Sequence, residues 1–201
     1  TALAALRSWA YRTVPLWLTI PFGVLAITAF LVWAGADGLV PLTSLLVGAI
    51  SLSVPLVFGA LGGVIGERAG VVNVAIEGQL LLGAFSAAVL SSLTGSPLVG
   101  LVGAMLGGAM VAFVLAAFAI KYLVEQVIVG VVLNVLVTGV TGFLFGALLV
   151  PNEDLLNSPE RFAPIAIPLL SDIPLLGPVL FNQTLIVYLM YVAVAVVAWG
   201  L

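Results

Sequence analysis

Five intervals of this chain run without a single charged side chain: 24 residues between Arg12 and Asp37, 29 between Asp37 and Glu67, 43 between Glu77 and Lys121, 27 between Glu125 and Glu153, and 29 after Asp172. A helix that crosses a ~30 Å hydrocarbon layer needs about 20 apolar residues, so each interval holds one span and the longest holds two. Only 6% of the 201 residues are charged and 64% are hydrophobic, against roughly 25% charged in an ordinary soluble domain. Long Leu, Val, Ala and Gly runs, without ten-residue alternating segments, select helices over a transmembrane barrel. The fold class expected is all-α: a polytopic transmembrane helical bundle of about six spans.

The spans are placed at about 14–36, 39–65, 70–92, 98–120, 127–150 and 183–201, in a single transmembrane domain. Arg7, Trp9, Tyr11 and Arg12 form an interfacial belt before the first. A cleaved signal peptide is the rival reading of span one, but the segment is long and lacks a small-residue cleavage pattern followed by a soluble domain. In span two, Ser44, Gly48, Ser51, Pro55, Gly59, Gly62 and Gly66 fall at steps of three and four, one helical face that lets a neighbouring helix approach closely. Pro55 should kink that helix. Thr94-Gly95-Ser96-Pro97 divides the longest interval with a tight turn, and Gly100, Gly103 and Gly107 give span four another close-packing face. The segment 151–178 holds six of the eleven prolines and is expected to be a loop with short helical turns at most.

Basic residues are retained on the cytoplasmic side. With the N-terminus cytoplasmic, Arg7, Arg12, Arg68 and Lys121 all fall inside, and Arg161 alone falls outside, among the carboxylates of Glu153, Asp154, Glu160 and Asp172. Glu67, Arg68, Lys121 and Glu125 then mark the cytoplasmic boundary, where charges at helix ends reach water easily.

Two constellations carry polarity inward. In "GERAGVVNVAIEG", Gly66 to Gly78, Glu77 lies nine residues beyond Arg68, so an unbroken helix would carry it ~14 Å inward, near the middle of the layer. Gly70, Asn73 and Glu77 stand at i, i+3 and i+7 and would share one helical face, although Gly70 and Gly78 also permit a helix kinked or broken near 66–78. The carboxylate is expected to be sequestered in a cavity shared among packed segments. In "KYLVEQVIVGVVLNVLVTGVTGF", Lys121 and Glu125 stand at i, i+4, and Asn134 follows nine residues after Glu125. Thr138 and Thr141 follow on one face, and their hydroxyls can bond the backbone carbonyl one turn earlier. Asn134 has no such escape and requires interhelical partners or a ligand. Both constellations fit either a packing clamp or the wall of a solute path. As a path, Asn73, Glu77, Asn134 and Thr138 suit a neutral polar solute.

Several chemistries are excluded. The chain has no histidine and no cysteine, which removes the usual zinc ligands and the commonest general base. No catalytic residue and no metal site are expected. Lys121 follows no glycine-rich phosphate loop, so ATP would have to be hydrolysed elsewhere. A net charge of −3 without a basic patch gives no footprint for nucleic acid.

The blocks "GERAGVVNVAIEGQLLLGAFSAAV" and "EQVIVGVVLNVLVTGVTGFL" resemble the permease subunits of bacterial ATP-binding cassette importers, in the branch that carries nucleosides and, more broadly, simple sugars. The "GVVN…EGQLLLGAF" form is similar to the nucleoside branch; the sugar branch usually has an Asp-Leu-Ser-Val-Gly pattern. This resemblance implies an integral protein of a prokaryotic cytoplasmic membrane with a second permease subunit or copy. It also implies cytoplasmic ATP-binding subunits that carry ATP and Mg, and an extracytoplasmic solute-binding protein. A pentose importer is the alternative of the same family, and a non-transporting assembly subunit the alternative of another class. Family members continue past a span like Val187–Leu201 into a coupling helix and further spans, so the sequence reads as an N-terminal fragment.

Overall fold

The structure, a computed structural model, describes residues 16–34 and 41–200. The proposed interfacial belt at Arg7 to Arg12 and the ends of span one lie outside the described residues. The chain divides into two compact units near Ser44. In the first, α1 (Leu16–Ala34) contains Pro21, and its Thr28 hydroxyl donates to Val24 O at 2.8 Å, so the side chain exposes no unpaired donor to lipid.

The second unit, from Leu45, holds all but the first three residues of α2 (Leu42–Arg68), then α3 (Ile76–Thr94), α4 (Pro97–Ala116) and α5 (Gln126–Leu144) in order. Helices α4 and α5 each end in a wide π turn, at Ala117–Lys121 and Phe145–Leu149. Counting those turns, four helices are long and apolar enough to cross a membrane: Leu42–Arg68, Ile76–Thr94, Pro97–Lys121 and Gln126–Leu149. Two shorter apolar helices, Ile20–Trp33 and α7 (Leu185–Gly200), stand where the first and last spans were expected. The outward surface is apolar, with Leu52, Phe113 and Phe143 each more than 70% exposed, as expected where lipid is the solvent.

Span three begins later than Gly70. α2 ends at Arg68, residues 70–75 are not helical, and α3 starts only at Ile76. The expected break in the helix is therefore present, and Gly70, Asn73 and Glu77 do not share one helical face.

α3 and α4 form a hairpin around Gly95, whose φ of 62° is the left-handed conformation a glycine adopts without steric penalty; its N–H donates to Ser91 O. The small-residue face of α4 meets α3 nearly backbone to backbone. A Cβ added at Gly100 would lie 2.8 Å from Ser91 Cβ, and one at Gly107 2.9 Å from Leu82 O. With no hydrophobic drive between helices in lipid, such close approach supplies the dispersion contact that holds the pair. One core joins Ala75, Val111, Leu115, Val129, Leu133 and Val137 across α3, α4 and α5; a second sets Val54 of α2 against Val187 and Met190 of α7.

Among the described residues, the stripe proposed on α2 is only partly occupied by neighbours from this chain. Ser51 and Pro55 are exposed, the Ser51 hydroxyl turns to Val47 O, and a Cβ at Gly62 would meet nothing within 4 Å. The contact face is Gly59, Gly63 and Gly66: Ile76 side-chain atoms approach the first two, and Val71 O the third. Helix α2 continues through Pro55.

The long loop is more ordered than its prolines suggest. It contains α6 (Glu153–Leu156) and β1 (Pro164–Ala166), which forms an antiparallel ribbon, in register Ile165 to Gln183, with β2 (Asn182–Thr184), so the last helix starts only at Leu185. Three-residue strands leave no alternation for sequence to show. The Tyr188 hydroxyl secures the ribbon, donating to Ile165 O at 2.8 Å and accepting from Gln183 N–H at 3.3 Å. Ser91 and Ser92 tie the loop to α3 through Glu160 O and Ser158 N–H.

Candidate functional site

The break begins with a helix stop built from local sequence. Gly70 has φ 81°. Its N–H donates to Glu67 O at 3.0 Å, and Val71 N–H donates to Gly66 O at 2.9 Å, the paired 5→2 and 6→1 bonds of a Schellman cap. The chain then runs non-helically to Ala75, which is fully buried. Asn73 Oδ1 accepts Ala75 N–H at 3.1 Å, an Asx turn that aims the chain into α3. The Asn73 and Gln79 amides also pair head to tail, at 3.1 Å and 3.3 Å.

One face of α5 holds this stretch. Gln126, Gly130 and Asn134 stand four residues apart, about 6 Å per step along the axis. Gln126 Oε1 accepts Val72 N–H at 2.6 Å. Gly130 leaves a notch: a Cβ there would lie 2.7 Å from Val74 Cβ and 3.1 Å from Ala75 N. Asn134 Nδ2 donates to Val74 O at 2.9 Å, and its Oδ1 accepts Gly78 N–H at 2.8 Å. Ala75, the residue before α3, has no side chain that can cap, so Asn134 satisfies one of the four orphan donors of that helix start from across the bundle. Asn134 lies eight residues into α5, about 12 Å from its first residue, and α3 therefore begins beside the interior of α5 rather than level with its end.

α5 in turn is capped locally. Glu125 accepts Val127 N–H at 3.0 Å and Ile128 N–H at 2.8 Å, a carboxylate on the positive end of the helix dipole. The expected Lys121 and Glu125 pair on one helix is not formed that way. α4 ends in its π turn at Lys121, Leu123 takes a φ of 54°, and Glu125 belongs to the next helix. Lys121 Nζ lies 5.7 Å from the Tyr122 ring centroid, within cation–π range.

The four expected path residues are thus brought to one region but differ in what they offer. Both amides, Asn73 and Asn134, are engaged by protein groups. The Thr138 hydroxyl donates to Asn134 O at 2.8 Å and Thr141 to Val137 O at 2.7 Å, each one turn earlier on its own helix. Glu77 is different again. It sits in the first turn of α3, where the dipole favours a carboxylate, and it is exposed. Sequestration of Glu77 among packed segments is therefore not found among the described residues, because α2, α4 and α5 cover other faces of α3. Glu67 and Arg68 close α2 and are exposed.

A cavity of about 510 Å³ lies at the opposite end of α3, between Ala87, Ser91, Gly100 and Ala104 of the hairpin and Glu160, Arg161 and Phe162 of the loop. None of the four path residues lines it. Gln126, Gln79 and Gly130 were not singled out from sequence. The only signal for Gln126 and Gly130 is the spacing of four that places them in line with Asn134, and Gln79 has none.

The family model described as "Branched-chain amino acid transport system / permease component" matches residues 45–201. The guanosine ABC transporter permease protein NupQ of Bacillus subtilis is 34% identical over 151 residues, covering 72% of this chain and 47% of that protein. The nucleoside ABC transporter permease protein NupC of Lactococcus lactis is 32% identical over 155 residues, 73% of this chain and 48% of that protein. The putative glucose ABC transporter permease protein TsgC13 of Haloferax volcanii is 37% identical over 153 residues, 76% of this chain and 46% of that protein. The chain spans about half the length of these curated relatives. No solved structure matches it.

Proposed function

Because the chain belongs to the family of branched-chain amino acid transport system permease components, we propose that it forms part of the transmembrane core of an ATP-driven importer for a neutral polar solute, a nucleoside. It is a multi-pass integral membrane protein, and the membrane concerned is the cytoplasmic membrane of a prokaryote. The nucleoside assignment is supported by two relatives whose names specify guanosine and nucleosides.

The observation that carries the mechanism is the helix that starts within the bundle. α3 begins beside the middle of α5, with Glu77 exposed in its first turn. Broken helices place polar groups and a helix N-terminus at depth, where a polar solute would otherwise find only hydrocarbon. In this reading Glu77 faces the solute, Asn73 and Asn134 shape the path through backbone contacts, and Thr138 borders it. Alternating access opens this region first outward and then inward. ATP and Mg are used on separate cytoplasmic ATP-binding subunits, a second permease subunit or copy completes the core, and an extracytoplasmic solute-binding protein delivers the solute. The permease itself performs no chemistry.

Two other readings have specific support. A sugar importer is favoured by the relative named for glucose. A non-transporting assembly subunit is favoured by the engagement of both Asn73 and Asn134 with protein groups. Uptake of labelled nucleosides and pentoses by cells carrying the intact transporter separates all three. Nucleoside uptake that pentoses do not compete for supports the proposal; pentose uptake selects the sugar reading; and no solute-dependent uptake selects the assembly role.

A further inference from the structure

Glu77 sits ahead of the part of α3 that α4 grips. The tight α3 to α4 contacts run from Leu82 to Ser91, opposite Gly107, Ala104, Gly103 and Gly100, and leave the first turn of α3 to be held by other means. First turns fray because their N–H groups have no intrahelical partner, and Ala75 contributes no side-chain cap. Asn73 bonds Ala75 N–H and Gln79 locally, and Gly59 and Gly63 of α2 admit Ile76; the restraints from α5 act on both sides of the helix start: Gln126 on Val72 N–H, the Gly130 notch against Val74 and Ala75, and Asn134 on Gly78 N–H.

We infer that Gln126 is a positioning residue for solute transport: it and Asn134 grip the chain before and after the start of α3 and thereby hold the first turn, and Glu77 with it, in place. The inference rests on the reading of Glu77 as the solute-facing group. Gln126 reaches Glu77 only through the backbone of residues 72–76. The bond it makes, at 2.6 Å, is the only side-chain contact found to Val72 N–H among the described residues. Without it the stretch is free to wind or fray, and the carboxylate loses its fixed location while the hairpin behind it stays intact.

The test uses the complete transporter in lipid nanodiscs, with Gln126→Leu, which removes the acceptor, and Gln126→Glu, which keeps an oxygen there. Amide hydrogen exchange over residues 72–79 should speed at least tenfold in Gln126→Leu, return toward the parent rate in Gln126→Glu, and stay unchanged over residues 82–94 in both. Unchanged exchange in Gln126→Leu overturns the inference, as does failure of Gln126→Glu to restore it. A rise that spreads over 82–94 also overturns it, by making Gln126 a residue of the whole hairpin. In nucleoside uptake, Gln126→Leu should raise the half-saturating concentration about tenfold when Glu77 is present and add nothing in a Glu77→Gln background. If the two losses multiply, Gln126 does not act through Glu77. If Glu77→Gln alone leaves uptake unaltered, the solute role of Glu77 fails, while the exchange measurement still decides whether the first turn is held from Gln126.

Discussion

Asn134 caps a helix to which it does not belong: its Oδ1 accepts the N–H of Gly78, 56 residues away in sequence, at 2.8 Å. The same amide donates to Val74 O, so one side chain satisfies a donor and an acceptor that the broken chain would otherwise leave unpaired in a low-dielectric interior. An unmade backbone hydrogen bond there costs about 1–3 kcal/mol.

Replacing Asn134 should therefore reveal its structural share. Asn134→Ala orphans Gly78 N–H and Val74 O and is expected to destabilise by about 2 kcal/mol. Asn134→Asp keeps the acceptor at the start of α3 and should fall between parent and alanine. Thermal unfolding of the purified protein in detergent, compared across the three, checks the order.

Glu77→Gln should reduce nucleoside uptake by the complete transporter tenfold or more while assembly with its ATPase is retained. Thr138→Val should leave uptake within about twofold, since the hydroxyl is satisfied by Asn134 O on its own helix. Uptake assays with co-purification of the ATPase measure both; parent-like transport by Glu77→Gln would remove that residue from the solute path.

The glycines separate into two groups. Gly107→Ala and Gly130→Ala place a methyl within 3 Å of neighbouring atoms, including Leu82 O and Val74 Cβ, and should destabilise by about 1–3 kcal/mol through overpacking. Gly48→Ala and Gly62→Ala meet nothing within 4 Å and should be neutral or stabilise by up to about 1 kcal/mol, because alanine loses less conformational freedom in a helix. Melting temperatures of the four variants decide the matter.

Tyr188→Phe removes the hydroxyl that joins Ile165 O and Gln183 N–H. Net loss should be about 1 kcal/mol, confined to the ribbon. Limited proteolysis should cut the 158–176 segment several times faster in Tyr188→Phe, with the α3 to α4 hairpin unaffected.

The orientation is open to a direct measurement because the chain has no cysteine. Leu123 and Leu169 are both 85% exposed and lie in the α4 to α5 connection and the long loop. With Lys121 cytoplasmic, an impermeant thiol reagent added to intact cells should label Leu169→Cys and spare Leu123→Cys. The reverse pattern would invert the topology.

Legibility in the sequence followed the range of the interaction. The tight turn at Gly95 and the close approach at Gly100, Gly103 and Gly107 could be read directly, because small residues at helical spacing leave room for a partner wherever it comes from. The break near Gly70 was visible too. Its consequence was not: once residues 70–75 leave the helix, Asn73 and Glu77 no longer share a face, and Asn73 turns to Ala75 and Gln79. Gly63 rather than Gly62 meets Ile76 because periodicity names a stripe without naming the neighbour.

What sequence alone determined is the solvent and the class: charge-free stretches of 24 to 43 residues can only be accommodated as helices in lipid, since backbone groups in hydrocarbon must be paired by the protein itself. It also determined that Asn134 needs a partner from another helix. Only the tertiary structure decided that the partner is the start of α3, and that Glu77 is exposed where sequestration was expected. Hydrophobicity and helical period are properties of neighbouring residues, whereas the pairing of Gln126 and Asn134 with Val72 and Gly78 depends on how two segments more than fifty residues apart are laid side by side.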